Sequence, residues 1–270
     1  MSTLKLIRRT VQFSVAGIFI LIPWLNANKF HDISGNFLSF DFYGIPFTDP
    51  LAALQSFTAS GSISSTLLFG AFLPVILASF LGAVFCSWIC PYGLISELNQ
   101  SLNRKVRGVT IRKRANGFKT KIIFFGMILA AMALLGGTPI LNQFSMPGWY
   151  SRAFQSWFLQ GVVPAGAFLL LAAMAVDLIS GQRFWCRYCC PQSIILHIVQ
   201  SRSPKRLRIV FDPTQCTCDK ESPCRSACPL SLNPKGSQNI LELECSNCGD
   251  CATECAQHGG AIRQVIARKP

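Results

Sequence analysis

The chain carries one signature twice: Cys86-x3-Cys90-Pro91 and Cys186-x3-Cys190-Pro191 each close an apolar stretch. Four such stretches, residues 11–27, 67–89, 122–141 and 159–179, approach the ~20 mostly apolar residues that a membrane-crossing helix needs. Only 14% of the 270 residues are charged, where a soluble domain carries about a quarter. Much of the chain therefore avoids water. Pro74 and Pro164 fall inside the second and fourth windows, which bilayer helices tolerate when neighbours satisfy the freed carbonyl.

A formal net charge of +13 raises nucleic acid as a partner, but the basic residues flank apolar windows, so membrane orientation is the expected use. Lys5, Arg8 and Arg9 precede the first window, and Lys29 faces Asp32, Asp41 and Asp49 in the next connection. The central connection holds Arg104, Lys105, Arg107, Arg112, Lys113, Arg114, Lys119 and Lys121. Arg152 stands alone after the third window, and Arg183, Arg187, Arg202, Lys205, Arg206 and Arg208 follow the fourth. The positive-inside rule then puts both termini and the central loop in the cytoplasm. Arg8-Arg9 also fits a twin-arginine signal, yet no clear small-x-small cleavage site follows, so retention of the first helix is expected.

The two halves echo each other, Gly82 to Cys86 corresponding loosely to Gly181 to Cys186. The expected fold is an α-helical membrane protein with four transmembrane helices as two repeated hairpins over 1–203. Ser203-Pro204-Lys205-Arg206 reads as a linker to a small α+β, two-cluster ferredoxin-like domain at 204–270. A domain that small needs staples, and bound clusters would supply them.

Thirteen cysteines at C-x2-C spacings favour metal over a disulfide framework. Cys245, Cys248, Cys251 and Cys255 follow the C-x2-C-x2-C-x3-C run of bacterial ferredoxins, whose fourth cysteine ligates the other cluster. By that interleaving Cys228, Cys245, Cys248 and Cys251 hold one [4Fe–4S] cluster, and Cys216, Cys218, Cys224 and Cys255 the second. The upstream run departs from the pattern: its second ligand position falls on Glu221, leaving Cys216, Glu221 as an oxygen ligand, or a three-iron cluster as alternatives. Zinc is the competing reading of any cysteine quartet, and eight interleaved cysteines suit two cubes better.

Cysteines four apart share a helical face, so Cys86, Cys90, Cys186 and Cys190 offer four thiols for a third cluster, a dithiol–disulfide cycle, or packing. Cys189 breaks the symmetry and reads as a bystander. Asp177, a carboxylate inside the fourth window, is a functional candidate by its cost: it takes protons from a quinol, or pairs with Arg183. The three histidines, His31, His197 and His258, lie outside all windows, which disfavours a membrane haem with axial histidines. His197 reads as a cap or a solvated residue of the helix after the second motif.

The order Thr48-Asp49-Pro50-Leu51, Phe85-Cys86-Ser87-Trp88-Ile89-Cys90-Pro91, Cys186-x3-Cys190-Pro191 and a terminal ferredoxin segment resembles the NapH family over essentially the whole chain. NapH is the membrane iron–sulfur subunit associated with periplasmic nitrate reductase, and MauN of methylamine utilisation is similar. The resemblance implies four helices in the bacterial inner membrane, cytoplasmic clusters, and quinol oxidation in concert with a NapG-like ferredoxin-type protein and periplasmic reductase components. Lacking a likeness to a large periplasmic flavin domain, the chain fits the longer NosR-type relatives less well. A maturation or electron-transfer factor for another periplasmic enzyme is the alternative function, resting on analogy alone.

Overall fold

The computed structural model describes residues 3–28, 33–108, 117–136, 138–218, 222–236 and 238–268. It is mostly helical, and two helices are long and apolar enough to cross a membrane. These are α1 (Thr3–Ala27) and, further on, Gly117–Leu134, about 37 Å and 27 Å long at 1.5 Å per residue. Glu221, His31 and the basic residues 112–114 lie outside the described residues.

After α1 the chain forms an antiparallel meander, β1 (Ile33–Asn36), β2 (Ser39–Phe42) and β3 (Ile45–Thr48). Tyr43 and Gly44, with φ of 52° and 80°, make the two-residue turn between β2 and β3, as the twist of a hairpin demands. The aromatics of this connection fold inward: Phe37 lies 4.8 Å from Phe19 and 5.6 Å from Phe85, ring to ring. The connection after α1 is therefore packed among the helices. α2 (Pro50–Ser60) starts on Pro50, and α3 (Ser65–Leu81) runs against β3 so closely that a Cβ on Gly70 would come within 2.7 Å of Thr48 Oγ1.

The window at 67–89 is not one helix. α3 stops at Gly82, whose φ of 74° suits glycine and whose missing Cβ leaves room for Asn247 Nδ2, 2.5 Å from where that atom would sit. A short helix, α4 (Phe85–Trp88), then carries Cys86, and Pro91 opens the amphipathic α5 (Pro91–Arg107). The second half is helical throughout and has no counterpart of the β1–β3 meander among the described residues. α6 (Gly117–Leu134) and a 3-10 turn lead to α7 (Met146–Gln160), α8 (Gly166–Ser180), a π-type turn over Trp185–Cys189 and α9 (Pro191–Arg202). The window at 159–179 accordingly begins in the last turn of α7 and breaks at Gly161. Hydropathy averages across such glycine stops, which explains both overlong windows. Outward faces remain apolar: Phe69, Phe72 and Phe80 on α3, Leu134 on α6, Phe168 and Ile179 on α8 are exposed, a surface that suits lipid better than water.

The C-terminal segment pairs β4 (Lys205–Phe211) antiparallel with β5 (Ile262–Arg268), and α10 (Pro223–Ala227), α11 (Gln238–Glu244) and α12 (Asp250–Cys255) lie between them. The expected linker is thus the start of β4. Arg206 there is buried, with Nη2 2.6 Å from Glu242 Oε2, and Arg208 pairs with the same carboxylate. Basic residues read as surface orienters are repeatedly consumed this way. Arg8 is fully buried on α1 and reaches Glu97 of α5 at 3.0 Å and Asp250 of α12 at 2.9 Å. Arg9 and Arg183 join Glu97 at 3.2 and 3.4 Å, and Arg187 meets Glu244 at 3.1 Å. Buried charges demand such partners, and here the pairs clamp the C-terminal segment onto the helices.

Candidate functional site: adjoining thiol cavities

Cys228, Cys245, Cys248 and Cys251 line one small cavity, together with Leu230 and Ser246. α12 presents Cys251 one residue after its start, and the backbone before it turns through Asn247 and Gly249, both at positive φ. Such tight turns let three cysteines of one short run face a common point. Asn247 is locked by its Nδ2, which donates to Leu81 O and Leu207 O at 2.8 Å. Burial pushes the Cys245 thiol up to about 12 and raises Cys228 and Cys248 as well. Thiols so buried become thiolates only when a cation is there to pair with them.

The donor set fits an iron–sulfur cluster. Zinc needs four ligands within about 2.3 Å of one point, and among the described residues no three Cys, His or carboxylate groups converge on a single ion. The four cysteines border a shared space instead. Cys224 and Cys255 are buried in one apolar cluster with Cys251, and Cys216 packs against its edge. Lys235, beside Cys216, holds that thiol below its ordinary value, and Lys235 Nζ donates to Cys218 O at 3.2 Å. Cys216, Cys224 and Cys255 thus lie together beside the first four, with Cys218 two residues along the chain from Cys216.

A second cavity is lined by Cys86, Cys90, Cys186 and Cys190, four cysteines from two places a hundred residues apart. Cys90 and Cys190 are the N-caps of α5 and α9, so each motif delivers its second thiol at a proline-started helix. Cys189 does not line it. Basic residues that the sequence reading placed in flanks and connections stand at this chamber. Lys121, buried on α6, donates from Nζ to Ser193 Oγ at 2.8 Å, and Arg183 Nη2 donates to Cys186 Sγ at 3.7 Å. His197 lines it too, buried away from solvent beside the Ser193 backbone one turn earlier on α9. A lysine at the start of an apolar window is the signal that could have exposed Lys121, by the rule that buried charge is functional.

The two cavities adjoin: Leu230 and Ser246 border both. Ser87 Oγ, inside the first motif, donates to Ser246 O at 2.7 Å, and Cys186 packs on Cys228, Leu230 and Leu241.

Asp177 borders neither cavity. It is buried and accepts from Tyr92 Oη at 3.0 Å, Ser96 Oγ at 2.5 Å and Trp185 N at 3.0 Å. Arg183 pairs with Glu97 rather than with Asp177. These three donors hold the carboxylate and tie α5 to the second motif.

A family model described as a 4Fe-4S binding domain matches residues 65–109 and 162–209. Each match covers one Cys-x3-Cys-Pro motif, and the cysteines after residue 209 lie outside both. The ferredoxin-type protein NapH of Escherichia coli is 28% identical over 93% of this chain and 86% of its own length. NapH of Haemophilus influenzae is 25% identical over the same shares. The methylamine utilization ferredoxin-type protein MauN of Methylobacillus flagellatus is 27% identical over 82% of this chain and 74% of its own. No solved structure matches.

Proposed function

Taking the chain as an iron–sulfur, ferredoxin-type protein of the NapH kind, with MauN a relative, we propose that it is an integral membrane quinol dehydrogenase subunit. It passes electrons from quinol through thiolate-held clusters toward a periplasmic reductase system, with a NapG-like ferredoxin-type protein as partner. Four transmembrane segments in two repeated halves and cytoplasmic termini complete the reading, supported by the basic flanks and the exposed apolar faces.

One observation carries it: the Cys86/Cys90/Cys186/Cys190 chamber adjoins the Cys228/Cys245/Cys248/Cys251 cavity through Leu230 and Ser246. A redox centre at the helices and one in the C-terminal segment would then be neighbours. Cys228, Cys245, Cys248 and Cys251 would hold one [4Fe–4S] cluster and Cys216, Cys218, Cys224 and Cys255 another, with a further centre at the paired motifs. Bound clusters supply one-electron chemistry. The chain's own part is to hold them apart from water, to set Lys121 and Arg183 as positive charge beside the motif thiols, and to keep both motifs fixed through Asp177.

The similarity to MauN favours a second reading, a factor serving a methylamine-type enzyme with the same cofactors. Anaerobically purified protein in detergent separates them. Stoichiometric reduction of the clusters by quinol supports the first reading. Clusters that no quinol reduces, with the partner enzyme made inactive in the deletion strain, support the second.

A further inference from the structure

A cavity of about 540 Å³ lies between α1, α3 and the β1–β3 meander, apart from both thiol cavities. Its walls are apolar, with Phe19, Phe40, Leu73 and Leu77 among them, and its polar exceptions are Thr48 and Asp49. Size and lining are those of a small-molecule site: apolar walls with few polar groups that fix orientation. Asp49 is buried to 8% exposure. Its carboxylate draws only on the Gln192 side chain and the Leu51 backbone, and Oδ2 has no donor at close hydrogen-bond distance. A buried carboxylate oxygen so weakly satisfied is costly and has room for a further donor. Gln192 follows Cys190-Pro191 directly and lines the motif chamber. At the other end Phe85, the residue before Cys86, borders both the cavity and that chamber.

We propose that this cavity is the quinol site: the isoprenoid tail lies along α1 and α3, and a ring hydroxyl donates to Asp49 Oδ2. The assignment rests on the quinol-oxidising reading and deepens it. Oxidation breaks the two O–H bonds of the hydroquinone. The protons pass in turn to the Asp49 carboxylate and on to water, and the electrons leave singly to oxidised iron–sulfur centres, giving the quinone. Burial pushes the Asp49 carboxyl up to about 7, near the working range of a general base at neutral pH. Asp49 thereby acts as the proton acceptor at this cavity, which Asp177, held by Tyr92, Ser96 and Trp185, does not line.

The test uses the full chain in nanodiscs with its clusters in place and a photoreactive azidoquinone. Labelling is expected on the cavity walls and is expected to be competed by unlabelled quinone. Asp49→Asn, close in shape, should slow quinol-dependent cluster reduction about 100-fold with labelling retained, and Asp49→Glu should recover part of the rate. Leu73→Trp, at a partly lipid-exposed wall position, should weaken quinone binding about tenfold or more. Dithionite must still reduce the clusters in every variant, which separates a lost site from a lost fold. If wild-type protein is not reduced by quinol at all, the functional reading falls. If wild type is reduced but Asp49→Asn and Leu73→Trp behave like it, or labelling maps elsewhere or is not competed, as a lipid-filled cavity requires, the site is wrong.

Discussion

The two thiol cavities are built in opposite ways. The C-terminal one draws three of its four cysteines from residues 245–251 and holds no charged side chain. The motif chamber takes two from each half of the helical region and surrounds them with Arg183, Lys121 and His197. Local sequence can specify the first, because a few turns at positive φ suffice to aim neighbouring thiols together. The second exists only once α4, α5, α7 and α9 have packed.

Breaking either quartet gives the largest effect. Cys228→Ser and Cys245→Ser should each abolish one and the same cluster signal, since interleaving assigns both to one cube. Iron analysis and low-temperature EPR check it, and loss of different signals would break the pairing. On the other side of the comparison, Cys86→Ser or Cys186→Ser should impair electron flow from quinol with the C-terminal signals intact. If the motif cysteines only pack, such variants lower protein abundance and leave activity per molecule unchanged.

The clamp between the regions comes next. Glu97→Ala leaves Arg8 and Arg183 buried without their shared carboxylate and should cost about 3–5 kcal/mol, measured by denaturant unfolding in detergent. Asp177→Asn turns an amide toward donors from Tyr92 and Ser96 and should cost about 1–3 kcal/mol. Quinol-dependent reduction per folded molecule should hardly change, and a large drop in that rate would return Asp177 to the proton path. Smallest of all, Glu221→Ala should leave the spectra unaltered if Cys216 completes the second set, whereas Cys216→Ser should damage the cluster that contains Cys224.

What the sequence made legible follows the same division. The Cys245–Cys255 run and its partner Cys228 were readable because ligand spacing is a local property, and the four thiols line one cavity. The paired motifs were readable as a repeat, but Lys121 reaches them only through the packing of α6, and nothing in the spacing marked Gln192 or His197 on α9 as facing the thiols. Apolar windows located the helices yet overran Gly82 and Gly161, where a positive φ rather than a loss of hydropathy ends the helix. Basic residues were counted as free surface charge, although Arg8, Arg183, Arg187, Arg206 and Arg208 sit in buried pairs. Their carboxylate partners lie far away in sequence, which no charge tally can foresee. Asp49 was hidden for a related reason: a polar step in a connection reads as an outer loop until the aromatics around it fold inward.

The most direct test compares wild-type protein with the variant carrying serine at Cys86, Cys90, Cys186 and Cys190, both purified anaerobically and titrated with quinol under EPR. The account predicts that quinol reduces the C-terminal clusters in the wild type and not in the variant, while dithionite reduces them in both. Equal reduction by quinol in the two proteins would contradict it, because electrons would then reach the C-terminal segment without passing the motif chamber.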